Sequence, residues 1–80
     1  MDTTTREALV AFQRLRTALA VVALDPARRA RATDFTAPLQ VLAEEANAKM
    51  TAAGFLDASG PTVTTQEIEA LIRQAGLTAL

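Results

Sequence analysis

Between residues 9 and 22 the large apolar side chains keep one period. Leu9, Phe12, Leu15, Leu19 and Val22 recur at steps of three and four, which places them on one face of an α-helix. No glycine or proline interrupts residues 3–24. Thr3, Thr4 or Thr5 is the expected cap, and Glu7 is expected in the first turn, where the helix dipole favours a carboxylate. Beyond Ala18 the apolar character spreads all round, through to Leu24. That end is expected either to be buried on several sides or to line a contact with another chain. Leu77 and Leu80 add to the same apolar surplus.

Asp25-Pro26 ends this helix and starts the next. Proline lacks an N–H and disfavours helix at the residue before it, while Asp25 as cap and Pro26 as first helical residue restart the chain. A short helix, Pro26 to about Ala32, carries Arg28, Arg29 and Arg31. Thr33 to Thr36 reads as a loop, with Phe35 anchored in the core. A third helix is expected from Ala37-Pro38, capped by Thr36 and stopped by Gly54. Its stripe is Leu39, Leu42, Ala43, Ala46, Met50 and Ala53, and a second row, Val41, Ala48 and Ala52, is small enough for close helix approach. A fourth helix, about Thr65 to Ala75, has capping-box spacing between Thr64 and Glu67 and the stripe Ile68, Leu71, Ile72, Ala75. The expected fold is all-α: a small single-domain helical bundle over residues 1–80, with three longer helices and one short helix. Loops lie near residues 25, 33–37 and 54–64, and a vestigial strand is placed at 62–64.

Composition narrows the chemistry. The 80 residues include 18 alanines and no His, Cys, Trp or Tyr. Ser-His-Asp and Cys-His catalysis, imidazole or thiolate zinc sites, and disulfides are therefore excluded. Glu44 and Glu45 are neighbours about 100° apart on a helix, so they do not converge on one small substrate. The one serine, Ser59, sits in Ala58-Ser59-Gly60 without the Asp-Ser-Leu of an acyl carrier. No catalytic residue and no cofactor is expected. The longest apolar run has seven residues, against about 20 for a bilayer span. With no basic start at Met1-Asp2, the expectation is a cytoplasmic protein without a membrane partner. Seven arginines against one lysine accompany GC-rich bacterial or phage genomes.

The segment Leu56 to Arg73 holds the most pointed motif. Asp57-Ala58-Ser59-Gly60-Pro61-Thr62-Val63-Thr64-Thr65-Gln66-Glu67-Ile68 resembles an EF-hand calcium loop with one residue missing, followed by its exit helix. On that resemblance Asp57 takes the first ligand position and Ser59 the third. Val63 matches the aliphatic eighth, and Glu67 matches the closing glutamate. Pro61 falls at the fifth position and offers no side-chain oxygen, and the glycine of the sixth is lost in the gap. The resemblance covers 18 residues of 80 and implies an ion-binding module with Asp57, Ser59 and Glu67 as weak metal candidates. A glycine–proline turn before a Thr-capped helix produces the same pattern without an ion. A metal-free structural loop is the expectation.

Charge supplies the last signal. Net charge is −1, yet five of the seven arginines lie between Arg14 and Arg31. Arg28, Arg29 and Arg31, with Arg14 and Arg16, are the candidate partner-binding residues. Without aromatic stacking residues or a large positive surplus, a nucleic-acid-binding accessory role is the lesser alternative. The expected function is a small non-enzymatic protein-binding module acting through a basic face and an apolar surface. Regulators, adaptors and phage-type inhibitors, anti-CRISPR proteins among them, share this profile. The expected partner is another protein, a multi-subunit complex included, and a homo-oligomer is compatible with it.

Overall fold

The computed structural model describes residues 1–77. Helix α1 runs Thr3–Leu24, α2 runs Pro26–Ala30, a single 3₁₀ turn covers Ala32–Phe35, and α3 runs Thr36–Ala52. A two-stranded antiparallel ladder, β1 Leu56–Asp57 and β2 Gly60–Pro61, then leads to α4, Thr65–Gln74. The all-α expectation holds, with three longer helices and a short one.

The helix ends follow from local chemistry, with some changes of residue. Asp2, not a threonine, caps α1: its carboxylate accepts from the Thr5 N–H at 2.8 Å. Because the helix begins at Thr3, Glu7 lies past the first turn. It instead faces Lys49 of α3 at 3.6 Å. Asp25 and Pro26 act as expected. The Asp25 carboxylate accepts from the Ala27 N–H at 3.0 Å, and proline takes the first turn. Helix α2 stops at Ala30, short of Ala32, because Arg31 leaves helical geometry (φ −116°, ψ 31°). The next four residues tighten into a 3₁₀ turn instead of an open loop. Thr36 is the first residue of α3 and not its cap. Phe35 precedes it without a side-chain capping bond, and is half-buried outside the central cluster.

Helices α3 and α4 end in the same device. Gly54 (φ +81°) follows α3, with Phe55 N–H donating to Met50 C=O at 2.9 Å and Gly54 N–H to Thr51 C=O at 3.1 Å. Gly76 (φ +71°) follows α4, with Leu77 N–H donating to Ile72 C=O at 3.0 Å and Gly76 N–H to Arg73 C=O at 3.1 Å. Both are Schellman ends, which satisfy orphan carbonyls and turn the next apolar residue inward. The strand falls at 56–57 and 60–61, not at 62–64. Thr62 adds one bond, its N–H to Phe55 C=O at 2.9 Å, and Thr64 is already committed to capping α4.

Ala8, Leu9, Met50, Ile68, Ile72 and Leu77 form the buried cluster, with Phe12, Phe55, Leu56 and Val63 packed on it. Glu7, near the start of α1, pairs with Lys49, near the end of α3, while α2 and the 3₁₀ turn join the end of α1 to the start of α3, so the two helices run antiparallel. Their close approach uses Ala8, Ala11 and Ala46, all buried. The row Val41, Ala48, Ala52 is exposed instead. No helix among the described residues is long and apolar enough to cross a membrane.

Candidate interaction surface

Helix lengths decide what is left uncovered. The 22 residues of α1 extend about 33 Å, while the 10 of α4 extend about 15 Å. The hairpin and α4 therefore reach only one end of the α1–α3 pair. The fully buried residues of α1 are Ala8, Leu9 and Ala11, and those of α3 are Ala46 and Met50. Every one lies at the end that α4 covers.

Towards the other end the apolar stripe is only partly covered: Phe12, Leu15 and Val22 are half-buried and Leu19 is exposed. Phe12, Leu15, Leu19 and Val22 fall within an arc of about 80° on α1. Phe12 and Leu15 line a cleft of about 310 Å³ with Met50, Phe55, Val63 and Ile68. One turn further along, Leu19 is 47% exposed; Val21 at 43% and Leu24 at 81% are exposed on other sides of the helix, about 160° and 140° round from it. Val41 of α3 is 62% exposed. Of the two expectations for Ala18–Leu24, burial within the chain is the one that fails. Leu77, the other part of the surplus, is buried in the core; Leu80 lies outside the described residues.

The arginines divide into separate groups. Arg28, Arg29 and Arg31 are together and exposed on α2 and its C-terminal end. Arg28 pairs with Asp25 at 3.1 Å and Arg31 with Asp34 at 3.0 Å, which offsets most of their charge locally. Arg29 makes no ion pair among the described residues. Arg14 and Arg16 point about 200° apart around α1. Arg16 lies 5.6 Å from the Phe12 ring centre and pairs with Glu69 of α4 at 2.9 Å, so it fastens α4 to α1. Arg14 lies beside a shallow recess shared with Glu45 and Lys49. The five arginines do not build one basic face.

Asp57, Ser59 and Glu67 sit in two separate turns. The Asp57 carboxylate accepts from the Ser59 N–H at 2.8 Å and the Ser59 hydroxyl at 2.6 Å. The Ser59 hydroxyl, and then its N–H, hold the Asp57 carboxyl below the usual aspartate value. Glu67 completes the capping box: its carboxylate accepts from the Thr64 N–H at 3.3 Å, and its own N–H donates to the Thr64 hydroxyl at 3.1 Å. Among the described residues no three His, Cys, Asp or Glu side chains gather into a set that could hold a metal ion. Glu44 and Glu45 are both exposed, and Glu44 accepts from the Gln40 amide at 3.3 Å.

The length mismatch between α1 and α4 is what the arginine and apolar motifs did not reveal. The signal was present in the sequence: a helix of 22 residues next to one of 10 cannot be covered along its whole length. Compared with known proteins, the chain matches no family model, no curated protein and no solved structure.

Proposed function

We propose that this chain is a non-enzymatic protein-binding module, a small cytoplasmic regulator, adaptor or inhibitor of bacterial or phage type. Its contact surface is the end of the α1–α3 pair that α4 does not reach. The observation that carries this reading is the exposure of Leu19, Val21 and Leu24 in the last two turns of α1. Exposed apolar side chains concentrated at one end of a helix mark contacts, because covering them removes apolar area from water. Arg28, Arg29 and Arg31 lie on α2 and at its C-terminal end, in the connection between α1 and α3. Charges at a rim act mainly on partner choice and association rate. A role without catalysis is supported by the missing imidazole and thiol. It is also supported by the acids: the carboxyls with shifted pKa, Asp2 and Asp57, are exposed and engaged in caps or turns.

The test compares retention of proteins from native lysate by the wild-type chain, by Leu19→Glu/Leu24→Glu, and by Arg28→Glu/Arg29→Glu/Arg31→Glu. Burying one leucine contributes about 2 kcal/mol, and each 1.4 kcal/mol is about tenfold in affinity. The leucine variant is expected to bind at least a hundredfold more weakly, and the arginine variant less severely so. Both are expected to keep the wild-type melting temperature, since the changes are on the surface. Unchanged retention by the leucine variant would contradict the reading.

A further inference from the structure

We infer that the cleft between α1, α3 and the hairpin–α4 segment is a binding site for a small uncharged molecule built around one ring. The site is separate from the exposed Leu19, Val21 and Leu24, and it stands or falls independently of the contact proposed there.

The cleft exists because α3 is narrow where the other elements are bulky. Phe12 and Leu15 of α1 and Phe55, Val63 and Ile68 of the hairpin segment and α4 bring large apolar side chains to it. From α3, beside Met50, come Ala43 and Ala46, whose methyl groups are too small to fill the space. What remains is about 310 Å³. That lies at the lower end of the roughly 300–1,000 Å³ of ligand sites, room for one ring with a short substituent. Two phenylalanine rings in the lining favour a ring as the guest, through stacked or edge-to-face contact.

The walls are held in place without a guest. The turn at Gly54 fixes Phe55, whose N–H donates to Met50 C=O at 2.9 Å. The Thr62 hydroxyl donates to Gly54 C=O at 2.6 Å, and the Thr62 N–H to Phe55 C=O at 2.9 Å. Thr64 caps α4. Val63 therefore sits between two hydrogen-bonded residues. A preformed site spends little of its binding energy on ordering its own walls.

Charge selects the class of guest. The recess on the other side of α1 is lined by Arg6, Arg14, Glu45 and Lys49, and the one beside α4 by Arg16, Glu69 and Arg73. The apolar cleft has no charged side chain in its lining; Asn47 and Thr65 are its polar members. An ion entering it would lose water and gain no opposite charge, whereas an uncharged ring loses only unfavourable hydration.

The test is a carbon–proton correlation NMR titration of the full chain with benzyl alcohol through the millimolar range. Saturable shifts are expected at the methyl groups of Leu15, Met50, Val63 and Ile68, with a Kd of about 1 mM, and none at Val41 or Leu24. Benzoate, the same ring with a charge, is expected to bind at least about tenfold more weakly. Ala43→Leu and, separately, Asn47→Leu place a larger side chain in the cleft from exposed helix positions. Each is expected to abolish the shifts without lowering the melting temperature. Shifts that fail to saturate, that appear equally at Val41 and Leu24, or that persist in both leucine variants overturn the inference. Equal affinity for benzoate overturns it as well.

Discussion

Leu9 is fully enclosed, and the ends of α1, α3 and α4 meet around it. Replacing it leaves a cavity that neighbours on three helices cannot all collapse into. Leu9→Ala is expected to lower unfolding free energy by about 3 kcal/mol in a denaturant titration. For a chain this short that is a large share of total stability. Asp57 works in the opposite environment, fully at the surface, where its value lies in holding a turn. Its folded pKa is lowered, so its contribution is present above the ordinary aspartate pKa and is lost as pH falls through the folded value. Titrated by NMR, the Asp57 carboxyl is expected to show a midpoint under the 3.8 of an ordinary aspartate. Ser59→Ala should move that midpoint back up, because the hydroxyl is its main cause. A midpoint at or above 3.8 in the wild-type chain would contradict the hydrogen bonding described.

Among the elements, what was legible in the sequence was what is encoded within four residues. Asp25-Pro26, Gly54 and the Thr64–Glu67 pair each act on backbone groups a turn away, and each does in the structure what its chemistry implies. What was not legible depends on which faces meet. Val41, Ala48 and Ala52 suit a close helix contact as well as Ala8, Ala11 and Ala46 do, and only the antiparallel pairing of α1 with α3 selects the latter. The ladder falls at 56–57 and 60–61 because Thr64 is needed as a cap, a competition that β-propensity at 62–64 does not register. Two substitutions test these devices. Thr64→Ala removes one half of the capping box directly and strands the other, and is expected to cost about 1 kcal/mol. Gly54→Ala is expected to cost about 1–2 kcal/mol from its left-handed backbone alone. A Cβ there meets nothing within 4 Å, so a larger loss would point to a clash the structure does not contain.

At the scale of the whole molecule, the core occupies one end of a longer frame. Extents are 38 × 28 × 19 Å, with α4 towards one end of the α1–α3 pair and α2 with the 3₁₀ turn at the other. The apolar surplus at Ala18–Leu24 was visible in the sequence, but whether the chain would fold back over it was not, because that depends on how far the hairpin places α4 along α1. The placement of the arginines was not legible for a related reason. Clustering in sequence between Arg14 and Arg31 spans two helices, which scatters the side chains around the molecule. The apolar far end of α1 is the proposed contact surface. Retention of proteins from native lysate by the wild-type chain and by Leu19→Glu/Leu24→Glu tests it most directly. The prediction is loss of retention in the variant at an unchanged melting temperature. Retention equal to that of the wild-type chain would contradict it.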